Sequence, residues 1–192
     1  MKKTMVKCAV LGGLVVFLWG VVSWMVLPWH QMAMKKFDNE SKVADVIQDN
    51  TKMSGVYVLP NCFSQEKGMS KEDMEKSKMK MKEMMQKGPM VFAIVKKEGM
   101  SGSMASKFIV GLIVNIVAAF FVTWLLMMTK AMAYMKQVYF VAAVAFTASL
   151  MIYLPDWVWM GMPFGCVVMH TIDLVIAWFL AGLVIAKLAK KH

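Results

Sequence analysis

Four long apolar runs, near residues 5–27, 108–128, 137–154 and 164–186, limit what this chain can become. A helix needs about 20 consecutive apolar residues to cross the hydrocarbon of a bilayer. In water, four such surfaces in one short chain would have too little partner surface. The chain has 192 residues, 59% of them hydrophobic, against about one half in a soluble domain. The expected fold is mainly α: a four-helix transmembrane bundle with a small α+β extracytoplasmic insert between the first and second spans. The expected organisation is a first transmembrane helix in 1–28, the insert in 29–106, and three further transmembrane helices in 107–192.

The first run follows Lys2, Lys3 and Lys7, as a signal peptide would. A signal-peptide core spans roughly 7–15 residues and ends at a small-residue cleavage site. This run is longer and ends in Trp24, Pro28, Trp29 and His30, so it reads as an uncleaved anchor. The second lies between Lys107 and Lys130, the third stops at Pro155 and Asp156, and the fourth ends in Lys187, Lys190, Lys191 and His192. Short lysine-rich segments stay in the cytoplasm, whereas long segments translocate largely regardless of charge. The N-terminal tail, the Lys130–Lys136 loop and the C-terminal tail carry lysine, and the third-to-fourth loop carries only Asp156. Both ends are therefore expected in the cytoplasm. Trp24, Trp29, Trp157 and Trp159 then form an aromatic belt at the opposite boundary.

The net charge of +10 comes entirely from lysine. Without arginine the chain lacks the usual bidentate reader of guanine and phosphate, which argues against nucleic acid as a partner. Cys8, Cys62 and Cys166 form no C-x-x-C pair, and only Cys62 falls in the insert. A thiol oxidoreductase with paired outer cysteines is thereby excluded, and no disulfide is expected there.

The insert and the adjoining Lys107, residues 30–107, hold 14 lysines and 10 acids. A helix is expected over 39–50, with Val43, Val46 and Ile47 on one face. A short strand follows at 56–59, closed by Pro60 and Asn61. Ser70 and Asp73 resemble a capping box opening a helix to residue 86 or 87, which Gly88 and Pro89 stop. Glu72 with Lys76 and Glu83 with Lys87 are favourable pairs on that helix. A second strand is expected over 90–96, then a small-residue linker over 99–106. Two strands and two helices in so few residues make a thin core, so this unit is expected to lean on other helix ends or on a partner protein.

Methionine is abundant, with 23 in the chain. Met32, Met34, Met79 and Met81 occur in alternating patterns that suit a soft metal, because thioether sulfur selects Cu(I). The competing account is that methionine replaces leucine, of which there are only 14. Met74, Met81 and Met85 then form an apolar helical stripe with Met84 at its edge. No cofactor is expected.

Polar residues inside the apolar runs carry the sharpest functional signal. At 100° per residue, Cys166, His170, Asp173, Ala177 and Ala181 share one face of the fourth helix. Gly111, Asn115, Ala118 and Val122 share a face of the second, and Ala9, Gly13, Val16, Gly20 and Ser23 a face of the first. The third has small residues nearly all round. Small residues let helices approach and polar groups bond across the contact; Gly161 and Gly165 make another small-residue pair. By depth, Asn115, Thr147, His170 and Asp173 are expected to meet in one layer, with His170 and Asp173 as mutual partners and His30 and Asp156 at its outer mouth. An ionisable residue inside a span is costly and faces the interior with a partner. Such a layer serves either as polar glue or as a proton-relay or ligand pocket. A His–Asp pair also suits acid–base work, and Cys166 is read as a packing residue rather than a nucleophile.

Three stretches, FLWGVVSWMVLPWH (17–30), GVYVLP (55–60) and PDWVWMGMPFGCVVMHTIDLVIAWFLAGLVIA (155–186), resemble small bacterial inner-membrane proteins that carry no assigned function. The resemblance implies a bacterial cytoplasmic membrane and transfers no catalytic residue. The expected function is non-enzymatic: an accessory, assembly or structural subunit of a larger membrane complex, with the bilayer and a membrane protein or a second copy as partners. The alternatives are a small transporter or ligand-binding protein using His170 and Asp173, and methionine-based Cu(I) or Ag(I) handling.

Overall fold

The computed structural model describes residues 2–61, 70–100 and 102–189. Cys62 and the terminal lysines Lys190 and Lys191 lie outside them. In chain order the elements are α1 (Lys2–Met25), α2 (Trp29–Ala33), α3 (Glu40–Asn50), β1 (Gly55–Leu59), α4 (Lys71–Lys87), β2 (Val91–Val95), α5 (Met104–Met127), α6 (Tyr134–Met160) and α7 (Phe164–Ala189). The helices α1, α5, α6 and α7 are each long and apolar enough to cross a membrane. The chain divides into two compact units, Met1–Lys35 with Gly102–His192, and Lys36–Ser101.

In the first unit α1 packs on α5 and α7, and α7 packs on α6. The buried core is built from small and β-branched side chains, including Val16, Ala119, Val141, Ala145, Ala177, Ala181 and Ile185. Glycine sets the closest approaches. A Cβ on Gly13 would sit 2.6 Å from Ile116 Cα, and one on Gly12 would sit 2.8 Å from the Ile185 side chain. Close backbone approach replaces the hydrophobic effect as the source of helix association in lipid, because lipid tails are as apolar as leucine. The expected glycine pair near α7 does not act this way: Gly161 and Gly165 are exposed, and Gly165 faces open space.

The third long helix differs from expectation at its end. It does not stop before Pro155 but continues to Met160. A proline removes one N–H and crowds one preceding carbonyl, and here the helix absorbs that a turn and a half from its end. Gly161 then ends it in the left-handed conformation, φ 72°, and Met162 N–H donates to the Asp156 carbonyl at 3.1 Å. Trp157 and Trp159 are thus helical, and Trp157 meets Phe164 across the turn at 5.3 Å between ring centroids.

The second unit is a two-stranded antiparallel sheet with two helices in its sequence. Gly55 opposes Val95, and Val56 opposes Ile94. Asn39 caps α3 by accepting from Lys42 N–H at 3.0 Å. Ser70 caps α4 by accepting from Asp73 N–H at 3.2 Å, while its hydroxyl donates to the Asp73 carboxylate at 2.7 Å. Lys76–Glu72 and Lys87–Glu83 form exposed ion pairs one turn apart. Ser54 joins the ends of the sheet, donating to Glu98 at 2.6 Å and accepting from Lys97 N–H at 2.9 Å. The Lys97 ammonium also donates to the carbonyls of Gln48, at 3.0 Å, and Thr51.

Candidate functional site

The short helix α2, which the sequence does not announce, folds the chain back after α1 and carries His30 into the first unit. His30 is 1% exposed, not at a mouth as its position outside the apolar run suggests. Pro28 ends the preceding segment and starts this turn, with Met32 N–H donating to its carbonyl at 3.0 Å. The sidedness of residue 30 in the sequence says nothing of this reversal.

Asp173, from the middle of α7, receives the groups of α1 and α2. Trp19 Nε1–H donates to its Oδ1 at 2.7 Å, and the Ser23 hydroxyl donates to the same oxygen at 2.7 Å. His30 Nε2 lies 3.3 Å from Oδ2 and 2.9 Å from Ser23 Oγ. Trp29 Nε1–H reaches Ser23 Oγ at 3.0 Å and the Ser23 carbonyl at 3.2 Å.

Proton bookkeeping fixes the roles. A serine hydroxyl has one proton and two lone pairs. Ser23 spends its proton on Asp173, so the Trp29 and His30 nitrogens must both donate to it. His30 therefore carries a proton on Nε2, shared between Ser23 Oγ and Asp173 Oδ2. Its Nδ1 is buried with no partner among the described residues. Three donors, from Trp19, Ser23 and His30, converge on one carboxylate.

This is not a hydrolytic triad. In that arrangement the carboxylate holds Nδ1 while the serine meets Nε2. Here both partners meet Nε2, and the hydroxyl of Ser23 is saturated.

Aromatic rings flank the cluster. His30 stacks on Trp24 at 3.9 Å with 9° between planes, and meets Trp29 edge-on at 5.8 Å. His170 does not bond Asp173 as the i, i+3 spacing suggests. It lies against Tyr153 at 5.2 Å, with His30 at 5.7 Å and Trp24 at 6.5 Å. The partners that win Asp173 come from other helices, because donors on α1 and α2 point across the packed face while a neighbour on the same helix points along it.

The remaining expected members of the layer are elsewhere. Asn115 packs beside Gly13, ten residues and so about 15 Å along α1 from Ser23. Thr147 is exposed on α6 and its hydroxyl bonds the Ala143 carbonyl at 2.9 Å. The buried face of that helix is Val138, Val141, Ala145 and Ser149, and a residue two positions from Ser149 points away from it. Cys166 is a half-buried free thiol, and Asp156 is half-buried on the last turns of α6; neither joins the network. Met79 and Met81 lie two apart on α4, on different sides of the helix. Met32, Met34 and Met79 are 71%, 60% and 73% exposed.

Sequence reasoning gave no role in the layer to Trp19, Trp24, Trp29 or Tyr153. One signal was present: Asp173 is the one carboxylate within the four apolar runs, Trp19 stands one turn before Ser23, and an indole N–H in an apolar helix needs an acceptor. Compared with protein-family models, curated proteins and solved structures, the chain matches none.

Proposed function

We propose that this chain is a non-enzymatic subunit of a larger membrane complex, with an accessory, assembly or structural role. In this reading the four long helices are embedded in a bacterial inner membrane, both ends are cytoplasmic, and residues 36–100 stand on the opposite side. The lysine distribution supports that orientation: Lys2, Lys3 and Lys7 open α1, Lys130 lies in the short α5–α6 connection and Lys187 near the end of α7, all opposite the Asp156 end of α6, while Lys107, at the start of α5, adjoins the long segment that translocates largely regardless of charge.

One observation carries the subunit reading. No described residue of α3, β1, α4 or β2 is buried. One face of the sheet presents Val56, Val58, Phe92 and Ile94, with Ile94 81% exposed. A two-stranded sheet is marginal by itself, and an apolar face of this kind marks an interaction site. A partner protein supplies the missing core. The Asp173 cluster then serves as the lock that holds α1, α2 and α7 in register.

The test is purification of the tagged protein from its own membranes in a gentle detergent, followed by mass spectrometry. A partner at fixed stoichiometry is expected, and Phe92→Glu with Ile94→Glu removes it while the chain still accumulates. A homogeneous species without a partner overturns the reading.

A second reading, a proton-linked transporter or ligand-binding protein, is favoured by the unpartnered His30 Nδ1. Asp173→Asn separates the two. Loss of an activity with normal accumulation supports the second, and failure to accumulate supports the lock.

A further inference from the structure

At the opposite end of the first unit, α1 begins with an unbroken pattern of lysine and valine on one side. Lys3, Val6, Lys7 and Val10 follow one another at spacings of three, one and three, which keeps them on one face of a helix. Two hollows lie along that face. One is a shallow, open depression bordered by Val6 and the apolar stems of Lys2, Lys3 and Lys7. The other, of about 230 Å³, runs between α1 and α5 and is lined by Val6, Ala9, Val10, Ile116, Val117 and Phe120. Val6 belongs to both. Exposed lysines thus adjoin an apolar slot along roughly 10 Å of helix axis, taken as seven residues at 1.5 Å each.

The lysines are free to take an outside anion. Lys2, Lys3 and Lys7 are exposed, and among the described residues none is paired with a carboxylate. The first turn of α1 contains no acid. The slot exists because Gly13 brings α1 against the Ile116 backbone, which leaves the valines and Phe120 to line the furrow beside that contact.

We propose that this face is a binding site for one anionic diacyl phospholipid, its phosphate among Lys2, Lys3 and Lys7 and one acyl chain along the furrow between α1 and α5. Charge complementarity selects the occupant. A zwitterionic lipid fills the slot equally well but gains nothing net from three uncompensated ammonium groups. Free phosphate gains from the lysines but leaves the slot empty. The site rests on α1 and α5 being membrane spans, and it is independent of any partner protein.

The full chain is extracted from alkali-washed membranes, which checks insertion separately. It is then studied in detergent by native mass spectrometry with phosphatidylglycerol or phosphatidylcholine of matched chains. The wild type is expected to retain phosphatidylglycerol in preference. Lys3→Gln with Lys7→Gln weakens its binding about twenty-five-fold, from about fivefold per lysine at an anionic headgroup. Val117→Trp fills the slot and weakens binding with every lysine in place; it carries the test even if the lysine variant does not accumulate. Equal retention of the two lipids, indifference to both variants, or full competition by inorganic phosphate overturns the proposal.

Discussion

His30 Nε2 lies 3.3 Å from Asp173 Oδ2, joining residues 143 positions apart. The carboxylate side chain is only 16% exposed and the imidazole 1%. Burying these groups is tolerable because Trp19 and Ser23 complete the carboxylate shell. An asparagine amide keeps an acceptor but cannot receive all three donors, and a buried donor left without its partner costs about 1–3 kcal/mol. Asp173→Asn is therefore expected to destabilise the bundle by about that amount, read as a lower thermal midpoint in detergent. Ser23→Ala, which frees Trp29 and His30 donors, is expected to cost about 1–3 kcal/mol. An unchanged midpoint for both variants would mean that the cluster holds nothing together.

The His30 ring contributes in two ways, and substitutions separate them. His30→Phe keeps a ring against Trp24 and loses the Nε2 donor, whereas His30→Ala loses both. Stacked pairs contribute about 0.5–1.5 kcal/mol beyond their buried area. His30→Ala is expected to be the less stable by at least that much in the same melting experiment. Equal midpoints would show that the stack adds nothing.

The glycines of α1 are not equivalent. A Cβ at Gly13 collides with the Ile116 backbone, while one at Gly20 meets nothing within 4 Å. Gly13→Ala is expected to cost about 1–3 kcal/mol through forced helix separation. Gly20→Ala is expected to stay within about 0.5 kcal/mol of wild type. Thermal unfolding of the two variants side by side checks the contrast.

Thr147 supplies a control. Its side chain is exposed and its hydroxyl bonds its own helix at Ala143, so Thr147→Val is expected to change stability by less than about 0.5 kcal/mol. A large loss would return Thr147 to the polar layer.

The second unit carries a titration of known sign. The Ser54 hydroxyl bond, then the Glu98 backbone and the nearby Lys96 and Lys97, hold the Glu98 carboxyl below its usual value of 4.5. A carboxyl depressed in the folded state stabilises it above the unfolded value and loses that effect as pH falls through the folded one. The effect is therefore present at neutral pH and fades below about pH 4.5. Ser54→Ala is expected to move the carboxyl back up, observed by NMR titration of Glu98. No movement would mean that the hydroxyl is not the cause.

Much of this architecture is legible from one sequence. The four long helices follow from apolar length, and Ser70, Asn39 and Gly88 mark element ends because capping and turns are local chemistry. The burial of Ala9, Gly13, Val16, Ser23, Ala177 and Ala181 follows from periodicity, since a face is a property of one helix. Asp173 is identifiable as a residue needing partners because a carboxylate in an apolar run has no other way to exist. Which partners it takes was decided by tertiary structure alone. Helical spacing offers His170, but α2 turns His30 back against α7, and α1 presents Trp19 and Ser23 across a glycine-lined contact. Depth arithmetic placed Asn115 and Thr147 with them, but depth is one coordinate, and the rotation of each helix about its axis is set only by packing against its neighbours.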